Sequence, residues 1–176
     1  MRPLPFLLAL AFLGACTSEP AEPEPTEPPP SSSPSADLVV EVESAEDLVD
    51  KLIEEENTLT VVNFWATWCL PCRSEFPTFM AYDAAAEEGI EVRFVSVDEP
   101  DMRDAVYRFL DEHEVTEMSY FAPGLSTLPA QFIPMAGYGL PTTIVFDANG
   151  IAQSIKTGEL DAAGLAEMVD AVRSES

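Results

Sequence analysis

From Asp37 onward, short apolar runs of strand character alternate with stretches whose apolar positions recur at helical spacing. Leu38-Val39-Val40-Glu41-Val42 reads as a short strand. Ser44 and Asp47 follow with the spacing of a capping box and open a helix through Leu48, Leu52 and Ile53. Leu59 to Phe64 is apolar at nearly every position and rich in β-formers, the signature of a strand covered on both faces. It runs directly into Trp65-Ala66-Thr67-Trp68-Cys69. A second helix is predicted from Leu70 to Glu88, bent at Pro77 and ended by Gly89. Ile90 to Val97 is the next strand. Asp101 to His113 is the next helix, with Val106, Phe109 and Leu110 on one face. Leu140-Pro141 leads a strand over Thr142 to Asp147, which turns at Ala148-Asn149-Gly150 into Ile151 to Lys156. A last helix spans Asp161 to Val172. The predicted order β-α-β-α-β-α-β-β-α gives an α/β fold, a central mixed sheet flanked by helices on both faces.

The first 36 residues have a different character. Arg2, the apolar run Leu4 to Leu13 and the small residues before Cys16 have the layout of an export signal, too short to span a bilayer. Leu13-Gly14-Ala15-Cys16 resembles the lipobox of bacterial lipoproteins. That resemblance implies cleavage before Cys16 and its acylation. An ordinary signal peptide cut near the same place, leaving Cys16 as a thiol, is the other reading. Thr17 to Ala36 holds seven prolines and no large apolar residue, so it cannot bury enough surface to fold. As an extended spacer at roughly 3.1 Å per residue it reaches up to about 60 Å, which suits a tether. The expected organisation is therefore a signal peptide at 1–15, an anchor and linker at 16–36 and one globular domain at 37–176, lipid-anchored to a bacterial membrane on its extracytoplasmic or periplasmic side.

Charge narrows the partners. With 32 acidic residues against 8 basic ones the net charge is -24, which argues against nucleic acid and anionic lipid head groups, since both require clustered cations. Glu54-Glu55-Glu56 and Asp98-Glu99-Pro100-Asp101 lack the spacing of a calcium loop and read as solvated acidic surface. A monomer is expected, and His113 is expected at the surface near a helix end. Met80, Met102 and Met118 are expected to fill gaps in the core.

Three cysteines in an exported chain read as one anchor, Cys16, and one pair, Cys69 and Cys72. The pair stands where a buried strand passes into a helix. There the unpaired N–H groups and positive dipole end of the helix favour a thiolate. Lowering a thiol pKa from about 8.5 to about 7 raises its charged fraction at neutral pH from roughly 3 % to roughly 50 %. Cys69 is thus the expected exposed nucleophile and Cys72, one turn on and more buried, the resolving thiol. Pro71 suits the first helical turn. A structural disulfide and half of a metal site are the competing readings. The first gains little from so short a loop, and the second lacks ligands beyond His113.

Asn63-Phe64-Trp65-Ala66-Thr67-Trp68-Cys69-Leu70-Pro71-Cys72-Arg73-Ser74-Glu75-Phe76-Pro77 resembles the active-site segment of the TlpA/ResA-like thioredoxins, extracytoplasmic proteins that usually reduce disulfides. The resemblance covers about Leu38 to Val172. It implies a thioredoxin fold, and no cofactor beyond the redox-active Cys69–Cys72 disulfide. It further implies exported proteins as disulfide substrates, and a membrane protein as electron donor. Leu140-Pro141-Thr142 resembles the family's cis-proline loop. That likeness places Pro141 in the catalytic group and Leu140 among the substrate contacts with Trp68, Leu70 and Pro71; an ordinary strand-start proline is the alternative. Glu75 matches the family's active-site glutamate, the proton acceptor for Cys72 in a chain with Asn63 where cytosolic thioredoxins carry an aspartate. An exposed acid at an early helix position is the other reading.

The chain departs from the family between Val115 and Gly139, where Pro123, Pro129 and Pro134 accompany Phe121, Phe132, Met135 and Tyr138. This stretch is expected to line a substrate groove beside Pro141, with ordinary core packing as the alternative. Two other functions compete with the reductase: a copper-handling module holding a soft ion between Cys69 and Cys72, and a thiol peroxidase. The copper-delivery relatives separate their cysteines by three residues and add a histidine, and the peroxidases carry a Pro-x-x-x-Thr/Ser-x-x-Cys pattern absent around Cys69.

Overall fold

The computed structural model describes residues 37–53, 59–116, 118–132 and 139–174. The export segment, Cys16, the linker and Glu54 to Glu56 lie outside the described residues, as do Pro134, Met135 and Tyr138.

The sheet is built around β2 (Leu59–Trp65), whose seven residues are all buried, so both of its faces are covered. It pairs in parallel with β3 (Ile90–Ser96) from Leu59↔Ile90 to Trp65↔Ser96. On its other side it pairs antiparallel with β5 (Thr142–Asp147), from Leu59↔Asp147 to Phe64↔Thr142. With β1 (Val39–Glu41), β4 (Ser119–Phe121) and β6 (Ala152–Thr157), the strand order is β1-β4-β3-β2-β5-β6. β1, β4, β3 and β2 run parallel, and β5 and β6 form an antiparallel hairpin. Gly150 closes that hairpin at φ 73°, a conformation that favours glycine. The Asp147 carboxylate accepts the N–H groups of Asn149 and Ile151 at 2.9 and 3.0 Å.

The helices are α1 (Ala45–Ile53), α2 (Leu70–Ala85), α3 (Arg103–Glu112), α4 (Pro129–Phe132) and α5 (Ala162–Arg173). α1 starts as its capping residues predict: Ser44 Oγ accepts from Asp47 N at 3.1 Å, and the Asp47 carboxylate accepts from Glu43 N at 2.9 Å. α5 is capped by Asp161, which accepts from Gly164 N at 2.8 Å. α2 ends three residues before the expected Glu88. Ala86 turns to extended backbone, and the Asp83 carboxylate reaches over to accept from Val92 N at 2.7 Å, tying the helix end to β3. Residues 87–89, with Gly89 at φ 88°, make the reversal instead.

Aromatic rings fill the space between α2, α3 and the sheet. Phe76 stacks on Phe94 at 4.0 Å and meets Trp65 and Phe109 edge-on at 5.3 and 5.0 Å. Each such pair adds about 0.5 to 1.5 kcal/mol beyond simple burial.

The structure departs from several of the sequence-based expectations. The region after Val115 supplies a sixth strand, β4, inserted between β1 and β3, and the short helix α4. Three residues are too few to display a period, so only the pair Tyr120-Phe121 marked the strand. His113 is half-buried rather than at the surface, because its ring stacks on Phe109 at 4.0 Å and its Nδ1 sits 2.8 Å from Phe109 O. Met118 is 41 % exposed and fills no core gap.

Candidate active site

β2 carries the chain into the loop before Cys69, and Asp98 holds that loop. Asp98 stands just past the end of β3 and is fully buried. Its carboxylate accepts from Thr67 N at 2.9 Å, from Thr67 Oγ1 at 2.7 Å and from Ser96 Oγ at 2.8 Å. Asp98 therefore does not belong to a solvated acidic run. The signal that marks it is its place directly after the apolar strand, where a buried carboxylate must find donors.

Cys69 is the N-cap of α2, with φ -85° and ψ 102°, and its sulfur accepts from Cys72 N at 3.3 Å. Cys69 and Cys72 are joined as a disulfide with Cα atoms 5.3 Å apart. Cys72 is wholly buried and Cys69 retains 5 % exposure, so the outer cysteine is more covered than expected but is the one that still meets solvent. Around it the surface is apolar: Trp68 is 61 % and Leu70 74 % exposed, and Pro71 is exposed as well.

Glu75, one helical turn beyond Cys72, is 1 % exposed and is no surface acid. Its Oε1 accepts from Asn63 Nδ2 and its Oε2 from Leu160 N, both at 2.8 Å. Burial pushes this carboxyl above its ordinary range. The bonds from Leu160 and Asn63 oppose the shift, and the charge of Glu159 adds to it. Asn63 Oδ1 is buried and finds no hydrogen-bond partner among the described residues. Glu75 also forms part of the wall of an open cleft of about 470 Å³ shared with Lys156 and Glu159.

The Leu140–Pro141 bond is cis. Because Phe64 is paired with Thr142, the register brings Pro141 and half-buried Leu140 alongside the exit of β2 into the cysteine loop. The proposed groove residues behave otherwise. Phe121 is buried in β4, and half-buried Phe132 packs against Phe64 and Phe146 at 6.1 and 5.1 Å. Core packing accounts for these two.

Residues 49–155 match the AhpC/TSA family. The chain is similar to the thiol-disulfide oxidoreductase ResA of Halalkalibacterium halodurans, with 29 % identity over 127 residues that cover 72 % of this chain and 69 % of that one. Among solved structures, a DsbF homologue from Corynebacterium diphtheriae superposes with a TM-score of 0.59 at 26 % identity, covering 68 % of this chain and 75 % of the other. A secreted thiol-disulfide isomerase from Corynebacterium glutamicum does so with a TM-score of 0.56 at 26 % identity, covering 66 % and 71 %.

Proposed function

This chain belongs to the AhpC/TSA family and is a thiol:disulfide oxidoreductase of the ResA type, and from that premise we propose that it reduces disulfides of exported proteins while held to a membrane by acylated Cys16. The observation that carries the reading is the placement of the Cys69 sulfur on the first turn of α2, with buried Glu75 one turn beyond Cys72.

In the reduced protein the Cys69 thiolate is favoured by the Cys72 N–H and the positive end of the helix. It attacks one sulfur of a client disulfide. The client S–S bond breaks, a mixed disulfide forms, and the second client sulfur leaves as a thiolate. Cys72 then gives its proton to the Glu75 carboxylate and attacks the Cys69 sulfur. The mixed disulfide breaks, the client departs reduced by two electrons, and the Cys69–Cys72 disulfide is formed. A membrane-held dithiol donor returns two electrons by the reverse exchange.

Client recognition follows from the apolar rim of Trp68, Leu70 and Pro71, and from the Leu140 backbone beside Pro141, which suits an extended client segment pairing as an added strand. Signal cleavage after 1–15, the anchor at Cys16, the spacer to 36 and a thioredoxin-like domain over 37–176 complete the reading. Its support is the sequence of the first 36 residues. Among the described residues no helix is long and apolar enough to cross a membrane.

Insulin reduction by the full chain tests the activity. Cys72→Ser should trap a mixed disulfide on Cys69 and Cys69→Ser should abolish turnover. A Cys69→Ser protein that still reduces insulin contradicts the reading. Copper titration and peroxide consumption by the same protein are expected to show neither tight binding nor turnover. Palmitate labelling lost in Cys16→Ser tests the anchor.

A further inference from the structure

We propose that Asp98 is a positioning residue for the nucleophile: its carboxylate fixes the Thr67-Trp68-Cys69 segment so that the Cys69 sulfur stays on the first turn of α2. The proposal rests on the reading of Cys69 as the attacking thiol, and no step of the catalytic cycle uses Asp98.

A fully buried carboxylate is tolerated only where donors surround it, and Asp98 has them. Thr67 contributes both its N–H and its hydroxyl, and Ser96 Oγ contributes a third group. A threonine held by one carboxylate through both its N–H and its hydroxyl is restrained in backbone and side chain alike, and Thr67 is two residues before Cys69. The Asp98 backbone is itself held. Its carbonyl accepts from Gly124 N at 3.1 Å, while Val97 N donates to Trp65 O at 3.0 Å. The loop is thereby fastened to the end of β3 and to the turn after β4, and not only to the helix it precedes. The consequence falls on Cys69, whose sulfur lies 3.3 Å from Cys72 N in the disulfide; once the disulfide is reduced, the loop and no longer the S–S bond has to keep it there. Among the described residues, the groups with charge or titrating protons on the elements that meet at the sulfur are Cys72, Arg73 and Glu75 on its own helix, Asp98 bonded to Thr67 before it, and Glu159 bonded to Ser74 Oγ at 3.1 Å. The Leu140-Pro141-Thr142 turn brings none.

Charge and position predict opposite results, and this makes the proposal decidable. Asp98→Asn removes a negative charge from the vicinity of Cys69. If charge were the whole effect, the thiolate would form at lower pH. If Asp98 positions the loop, the thiolate forms at higher pH and attacks more slowly. The experiment measures iodoacetamide alkylation of Cys69 against pH, and the single-turnover rate of client attack, in the reduced full chain and in Asp98→Asn, Thr67→Val and the double variant. Thr67→Val removes the 2.7 Å hydroxyl bond while keeping Asp98, so it serves if Asp98→Asn does not fold.

The expected result is an alkylation midpoint raised in both single variants and an attack rate lowered by about tenfold, given that a misplacement of about 1 Å costs up to roughly a hundredfold. The double variant should be little worse than Asp98→Asn alone, because one contact has been cut twice. A midpoint that falls or stays put in both single variants, with wild-type attack rates, overturns the positioning role while leaving Cys69 as nucleophile. Alkylation of wild-type Cys69 with the profile of a free thiol would instead remove the reading on which the proposal rests.

Discussion

Asn63 Nδ2 donates to Glu75 Oε1 across 2.8 Å, joining the central strand to the active-site helix with both side chains buried. Together with the Leu160 N–H on the other oxygen, this bond fixes the carboxyl one turn beyond Cys72 and offers donors to its charged form.

Glu75→Gln should slow resolution of the mixed disulfide by about a hundredfold or more, the usual contribution of a general base, and leave the attack by Cys69 in place. The same residue has a stability signature. Burial lifts its folded-state pKa above the ordinary 4.5, so between those two values the native protein binds the proton more tightly than the unfolded chain. Stability is therefore lost as pH rises from 4.5 through the raised folded value. Thermal melts across that range should show wild type losing ground to Glu75→Gln as pH increases. Parallel curves contradict this account of the carboxyl.

Asn63→Asp places a second carboxyl within hydrogen-bond reach of Glu75. Two acids so close cannot both ionise cheaply and share one proton. The variant should be most nearly wild-type in melting temperature at mildly acidic pH and fall away as pH rises. A pH-independent difference from wild type refutes the contact.

Trp68→Ala and Leu70→Ala remove the two large apolar side chains exposed beside Cys69. Stability should change by no more than about 0.5 kcal/mol, as for surface sites, while KM for a protein client rises and alkylation of Cys69 is unaffected. An unchanged KM in the double variant argues against this rim as the docking surface.

Phe76→Ala removes a ring packed against Phe94, Trp65 and Phe109. A loss of about 3 to 5 kcal/mol is expected, the range for truncating a large core aromatic, measured by denaturant unfolding. A loss near 1 kcal/mol would mean that the site collapses around the gap.

These tests fall on residues that were unequally visible in the sequence. β2 and the dithiol were legible because strand burial and helix start impose local patterns: an unbroken apolar run, then two cysteines and a proline at a helix's first turn. Cys69 as N-cap follows from the same local rules. Glu75 was named by family likeness, but its burial depends on Asn63 and Leu160, 12 and 85 residues away in the chain, and no local pattern encodes such a meeting. The same holds for Asp98, since three acids around one proline look like solvated surface until β3 brings the first of them against Thr67. β4 carries no local signal of its own, because its three residues derive their structure from the neighbours β1 and β3. Phe121 and Phe132 invited a groove because an aromatic near proline looks exposed when its packing partners lie far away in sequence.

The most direct test of the whole account is the pH profile of Cys69 alkylation in the reduced full chain. A helix start that supports the thiolate predicts half-maximal reactivity clearly below about 8.5, the value of a free cysteine, with Cys69 outrunning Cys72 at neutral pH. Half-maximal reactivity at the free-cysteine value, or equal rates at the two thiols, contradicts it.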